Sequence, residues 1–464
     1  MTLNALADLL GGRVVGPGDL DPDRVEVVAE ATLDSRAVVP GGLFVALAGE
    51  RTDGHEHVQA ALSAGAVAYL GSRDVGAPGV VVPDVVAALG RLGRHVVDSL
   101  PGLTVLALTG SQGKTGTKDY LAHVLAGEGP TVATLGNYNN ELGVPLTVLR
   151  ATEETRFLVV EMGARGIGHV AELCRTAPPQ VAAVLNVGTS HLGEFGSRAA
   201  IAQGKGEIVE ALPPSGTAVL NADDALVRAM APRTRARVLT FGADGDVTLR
   251  ALASDDLGRR SFELGAEGRW YPVRLAQLGS HQVPNALAAA AMALAVGVPA
   301  DRVASRLTTA EPASRWRMEL HERADGLLVI NDSYNANPES MEAALDTLGH
   351  IGRAGGRRTV AVLGEMRELG DDSAAQHCRV GAAAAAAQVD VLVTVGTAAA
   401  EIAACATRDP AWRGTAVIID TRDEALQWVR ENVSAADAVL VKASRGAALE
   451  HIADGLLEEG DPAR

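Results

Sequence analysis

The stretch LTVLALTGSQGKTGTKDYLAHVL, residues 103–125, limits the possible folds more than any other part of the chain. An apolar run that suits a buried strand ends in a glycine-rich turn, and the turn leads into a helix-forming segment. Glycines let the backbone close tightly there, so several N–H groups and the positive end of the helix point at one spot. Such a spot attracts phosphate, and a strand of this kind belongs in a parallel sheet covered by helices. The turn is shorter than the general phosphate loop, because Leu108 stands where that pattern has its first glycine. Gly110, Ser111, Gln112, Gly113, Lys114, Thr115 and Gly116 are the expected binding residues for a nucleoside triphosphate. Lys114 would reach the terminal phosphates and Thr115 would ligate Mg2+. The loop is silent on which reaction uses the nucleotide.

A second constraint is a single lysine. Of 41 basic residues only Lys114, Lys118, Lys205 and Lys442 are lysines, and the other 37 are arginines. In IAQGKGEIVEAL, residues 201–212, Ile201, Lys205, Ile208 and Leu212 fall at helical spacing on one face. That face is apolar apart from Lys205, so the ammonium points inward, where an unpaired charge is costly. One reading is a lysine that buries its stem and keeps its head in water. The other is a lysine chosen for its nucleophilic amine, which a guanidinium lacks.

The chain has 464 residues, enough for two to four domains. Short β-like runs (GLFVAL, AVAYL, GVVVP) lie among turns before residue 98 and are closed by a helical stretch at 84–99. From residue 103 apolar strands alternate with Ala-rich helices, the pattern of a parallel α/β sheet. Residues 246–275 read as a small antiparallel excursion. After a Pro-containing turn at 310–315, five further strand candidates separated by helices predict a second doubly wound domain. The net charge of −16 argues against a nucleic-acid partner. No apolar run is long enough for a membrane span, and the N-terminus lacks the features of a secretion signal. Three cysteines, Cys174, Cys378 and Cys405, show no metal-type spacing, so the expectation is a reduced, cytoplasmic protein.

Ligands in an open parallel sheet collect beyond the carboxyl ends of the strands. FLVVEMG ends at Glu161, and AAVLNVGTSHLGEFG carries Asn186 and His191 beyond its strand. TVATLGNYNNELGVPLT places Asn137, Asn139 and Asn140 after another. Singly, Glu161 reads as a capping acid and His191 as a loop histidine. Beside a phosphate loop they read as a carboxylate and an imidazole around a divalent cation. Lys205 then gains a role: an amine that captures CO2 becomes a carbamate, an anionic oxygen ligand in place of a buried cation.

With these residues in place, the chain resembles the Mur ligases, ATP-dependent amide-forming enzymes of peptidoglycan assembly. The motifs are TGSQGKT, TLGNYNNELGVPLT, VVEMGA, NVGTSHLGEFGS, AQGKGEI, GSHQVPNALAA, RWRME, NDSYNANPESM and LGEMRELG, and they span essentially the whole chain. GNYNNELGVPLT, DSYNANP and GEMRELG are similar to the branch that adds D-alanyl-D-alanine to UDP-N-acetylmuramoyl tripeptide. The resemblance implies an N-terminal domain for the UDP substrate (1–98), a central parallel-sheet ATPase (99–309) and a C-terminal Rossmann-like domain for the dipeptide (310–464). It implies ATP and Mg2+ as cofactors, a carbamylated Lys205, and Mg2+ held by Thr115, Glu161, His191 and that carbamate. Lys114, Lys205, His191 and Glu161 become the catalytic candidates. Asn137, Asn140, His281, Asn285, Arg317, Asp332, Tyr334 and Asn335 are implied on the nucleotide, and Ser35, Arg36, Lys442 and Arg445 on the substrates. Two positions depart from the family pattern: Ala443 where KGSR has glycine, and Gln282 where Asn is common. The enzyme is expected to act as a monomer. The alternatives are a diaminopimelate- or lysine-adding ligase, a folylpolyglutamate synthase, or a nucleotide-dependent switch protein. The chain lacks the DNPR stretch of the diaminopimelate-adding enzyme, and a switch protein would carry the longer loop.

Overall fold

The computed structural model describes residues 1–49, 52–189 and 192–458. His191 lies outside the described residues. The chain forms three α/β units built around parallel sheets. The first has five strands in the order Arg13–Val15, Gly79–Val81, Ala68–Gly71, Leu43–Val45 and Ala31–Thr32, antiparallel only at the first pair. Leu3–Leu10 and Val85–Ser99 cover it, and each begins where a side chain accepts a backbone N–H, Thr2 for one and Asp84 for the other.

The central sheet runs Arg237–Phe241, Thr217–Asn221, Val181–Val184, Thr104–Thr109, Phe157–Glu161 and Thr131–Ala133, all parallel. Thr104–Thr109 sits where the strand order reverses, so the turn that follows it opens into the crevice where ligands gather. Its residues from Val105 to Thr109 are fully buried, as a strand covered on both faces requires. The Ala-rich helix Gln282–Ala295 lies inside the core against the loop helix Lys114–Ala126. Its small side chains let the two backbones approach. The expected antiparallel excursion is a three-stranded sheet, Thr248–Ser254, Arg259–Ala266 and Arg269–Leu278.

The last sheet contains the five expected strands, Leu328–Asn331, Asp437–Lys442, Arg358–Leu363, Val391–Val395 and Thr415–Ile419, in that spatial order. An unexpected sixth strand, Glu319–Glu322, pairs antiparallel at the edge beside Leu328–Asn331. Its ELHE sequence has too little apolar alternation to announce itself. The expectation of reduced cysteines is corrected here: Cys378 and Cys405 form a disulfide, and only Cys174 is free among the described residues. Separated by 27 residues, the pair sits on Ser373–Ala386 and Ala400–Thr407, which pack side by side and bring the Cα atoms to 5.1 Å. Sequence spacing carries no trace of that helix packing.

Candidate active site

A cleft of about 820 Å3 opens at the carboxyl ends of the central strands and is lined from all three units. Gly113, at φ +77°, turns the chain into the loop helix. A Cβ on Gly113 would lie 2.2 Å from Asn285 Oδ1, and one on Gly116 would lie 2.9 Å from Asn285 Nδ2. The loop therefore needs both glycines because it is seated on the helix Gln282–Ala295. Asn285 is the seat itself: its amide donates to Gln282 Oε1 at 3.2 Å, and the Gln282 amide reaches His281 Nε2 at 3.1 Å. Gln282 thus fills the position where the family pattern has the shorter Asn. Asn186 clamps the loop from the next strand. Its Oδ1 accepts from the Gln112 N–H at 2.9 Å and its Nδ2 donates to the Gln112 carbonyl at 3.1 Å. Ser111 accepts from the Gly188 N–H at 2.9 Å, and Lys114 Nζ donates to the Gly110 carbonyl at 2.8 Å.

Glu161, only 2% exposed, stands beside the loop at the end of Phe157–Glu161. Thr115 Oγ1 donates to one of its oxygens at 3.0 Å and Asn139 Nδ2 to the other at 2.7 Å. Of the three asparagines read from the sequence, Asn139 is the one that fixes the carboxylate. Asn140 instead accepts from the Gly143 N–H at 2.9 Å and shapes the start of Gly143–Val148, while Asn137 lines the open cleft.

Lys205 lies on Arg198–Glu210, a helix started by Ser197, whose hydroxyl accepts from the Ala200 N–H. Ile201, Ile208 and Leu212 are buried with it, and Lys205 is 2% exposed and faces the cleft. Among the described residues no carboxylate pairs with it. Burial, and next the nearby Lys114 ammonium, push its pKa well below the ordinary lysine value. Lys114 is also held down, first by burial, although Glu161 pulls the other way. Within a chain of net charge −16, Lys114 and the N-terminal end of the loop helix thus make one point of the cleft suited to anions. The cleft also suits a divalent cation: it holds a buried carboxylate and a hydroxyl in contact, and an amine whose neutral form is favoured.

The C-terminal unit supplies the opposite wall. Lys442, 2% exposed, donates to Asp332 Oδ2 at 2.6 Å and to the Asn335 carbonyl at 2.9 Å, fixing the turn that carries Tyr334. The Arg317 guanidinium lies 4.3 Å from the Tyr334 ring centre, and Arg445 lies 4.4 Å from that of Trp316. Ala443 is buried, its methyl group close to Gly364, at a position whose φ is not positive, so alanine is accommodated without strain. His281 is half-buried near Asp332 and Lys442, and the burial of its ring lowers its pKa. The sequence reading missed Asp119, on the loop helix, which accepts from Ser314 Oγ at 2.7 Å and pairs with Lys118 at 2.5 Å. The one signal for it was the scarcity of lysine at the neighbouring position. All four lysines thus lie buried or half-buried at or beside the cleft. Ser35 and Arg36 stand apart from the cleft lining, in the N-terminal unit, with Arg36 paired to Asp34 at 2.8 Å.

Comparison with known proteins agrees with this arrangement. Residues 28–96 match the Mur ligase family catalytic domain, residues 108–293 the Mur ligase middle domain, and residues 316–445 the Mur ligase glutamate ligase domain. The UDP-N-acetylmuramoyl-tripeptide–D-alanyl-D-alanine ligase of Mycobacterium tuberculosis is 45% identical, over 99% of this chain and 98% of that protein. The Escherichia coli protein of the same name is 37% identical over 99% of both. Among solved structures, MurF from Acinetobacter baumannii superposes with a TM-score of 0.86 at 33% identity, covering 98% of each chain. The MurF ligase of Thermotoga maritima, solved in complex with ADP, gives 0.79 at 30% identity, covering 93% of this chain and 98% of that one. The chain belongs to the Mur ligase family.

Proposed function

We propose that this enzyme joins D-alanyl-D-alanine to UDP-N-acetylmuramoyl tripeptide at the expense of ATP, a step of peptidoglycan precursor synthesis. Full-length similarity to ligases of that name supports the substrate pair. The single structural observation that carries the chemistry is that one cleft is lined by the phosphate loop, Glu161 and the buried Lys205, which has no carboxylate partner among the described residues. ATP is a substrate in this reading, and the ADP complex of the Thermotoga relative supports its use. The nucleotide-linked substrates point to the cytoplasm, and no helix among the described residues is long and apolar enough to cross a membrane. One chain supplies every group named, which supports a monomer.

The tripeptide's terminal carboxylate oxygen attacks the γ-phosphorus, the bond to the β–γ bridging oxygen breaks, and ADP leaves. The free amine of the dipeptide then attacks the acyl carbon, loses a proton, and inorganic phosphate departs as the amide forms. The enzyme's part is placement and charge. N–H groups of Gly113, Lys114 and Thr115 at the start of the loop helix hold the phosphates, and Lys114 offsets the charge that moves onto the bridging oxygen. Thr115, Glu161, His191 and the carbamate of Lys205 would hold Mg2+, which when bound neutralises phosphate charge. The carbamate forms when the neutral Lys205 amine adds to CO2 and releases one proton. Closure of the C-terminal wall keeps water from the acyl phosphate. The test is an assay of ADP release with each substrate omitted in turn. ADP should appear only when the tripeptide is present, and amide only when the dipeptide is added. Steady ADP release with neither substrate would refute this reading.

A further inference from the structure

Polar contacts at three places near the cleft join the central and C-terminal units. Two lie at its margins: Ser314 to Asp119, and His350 Nε2 to the Asp255 carbonyl at 2.8 Å and Ser254 Oγ at 3.1 Å. The third lies next to the phosphate loop. There the Thr189 hydroxyl donates to Oε1 of Glu339.

Glu339 sits in the first turn of the helix Pro338–Gly355. That helix start does not need it. Asn337 Oδ1 already accepts from the Ser340 N–H at 2.9 Å, and Ser340 Oγ accepts from the Asn337 N–H at 3.1 Å. Nor is Glu339 the chief partner of the nearby guanidinium. Arg379 gives its two short bonds, 2.6 and 2.7 Å, to Glu342 and stands 3.5 Å from Glu339. The second Glu339 oxygen is buried with no hydrogen-bond partner among the described residues. A half-satisfied, largely buried carboxylate is a cost to its own unit.

The other side of the contact is rigid. The turn leading to Thr189 is pinned by the Val187 N–H on Asp224 Oδ2 at 2.8 Å and the Gly188 N–H on Ser111 Oγ at 2.9 Å. Ser111 belongs to the phosphate loop. A bond between two such fixed parts forms only when the two units stand in this relation. Thr189 shares a small cavity with Ser111, Lys114, Asn335 and Asn337, so the contact sets the distance between the loop and the Asn335–Asn337 turn.

We infer that Glu339 is a positioning residue, the catch that holds the C-terminal unit against the phosphate loop through Thr189. It touches no substrate. The inference rests on the ligase reading only for its kinetic consequence, and the test separates the two.

Hydrogen exchange on the full-length chain, with the magnesium complex of a non-hydrolysable ATP analogue, reads protection of residues 185–189. Glu339→Ala and Thr189→Ala should each lower that protection about tenfold. The double variant should lose no more than either single one, because both remove the same bond. Thr189→Ser, which keeps the hydroxyl, and Glu339→Gln, which keeps the acceptor, should stay within about threefold of wild type. In the ligase assay kcat/KM for D-alanyl-D-alanine should fall by the same factor in Glu339→Ala, with analogue affinity of the free enzyme unchanged. A merely structural role would lower analogue affinity and the thermal midpoint together. Unchanged protection in Glu339→Ala, or additive losses in the double variant, would overturn the catch. Wild-type turnover with the two substrates decides the ligase reading separately.

Discussion

Lys205 carries the sharpest test of the site. Lysine costs more to bury uncharged than a hydrocarbon would, and the helix Arg198–Glu210 gives it no partner among the described residues. Its value lies in the amine. Lys205→Arg would force a fixed cation where burial favours the neutral amine and would remove the chemistry, so turnover should drop by about 100-fold or more. Lys205→Ala should be equally poor and partly recover when short carboxylic acids are added, because they supply an anionic oxygen in the vacated space. Steady-state turnover with and without added acetate checks both. Lys442 makes the opposite prediction. It is tied to Asp332 at 2.6 Å, so Lys442→Ala should leave a largely buried carboxylate unpaired and cost about 3 kcal/mol in denaturant unfolding. At the far end of the chain, hydrogen bonds from the His55 backbone and ring hold Asp53 down to about 2, against an ordinary 3.8. A carboxyl lowered on folding stabilises above its unfolded pKa and loses that effect as pH falls through its folded one. Acid titration should therefore show a loss between about pH 4 and pH 2 that Asp53→Asn lacks.

At the level of elements, the loop helix and the helix Gln282–Ala295 act as a pair. Gly113→Ala would place a methyl at positive φ and 2.2 Å from Asn285 Oδ1, so the loop must move off its seat. A shift of about 1 Å at the phosphates should cost on the order of 100-fold in turnover. Adding Asn285→Ala should recover only part of it, since the backbone strain stays. Most of this element pair was legible. A buried strand, a glycine turn and a lysine–threonine step leave few foldings open, and the inward face of Arg198–Glu210 was readable from spacings of four and three. The seat was not. Asn285 and Gln282 meet the loop across more than 160 residues, and no periodicity encodes such a contact. The short strands Arg13–Val15 and Ala31–Thr32 also escaped notice, being too brief for alternation to register. The edge strand Glu319–Glu322 was hidden by its charge, and the Cys378–Cys405 bridge by its dependence on how two later helices pack.

Across the whole molecule, the cleft takes its polar groups from the central and C-terminal units, so ligand binding and the arrangement of those two units are one equilibrium. A magnesium–ATP analogue at about 100 times its Kd should stabilise the native form by about 2.7 kcal/mol. Calorimetry should show the shift shrink when magnesium is chelated, since Thr115 and Glu161 would then face the phosphates unaided. The overall charge of −16 leaves the outside repulsive to nucleotides and concentrates attraction at Lys114 and the start of the loop helix. The confinement of lysine to this region also governs how the protein can be handled. Amine-reactive dyes, biotin esters and lysine-bridging crosslinkers will find no lysine side chain away from the cleft region. Coupling to lysine will therefore track occupancy of the catalytic crevice, and bound nucleotide will suppress it.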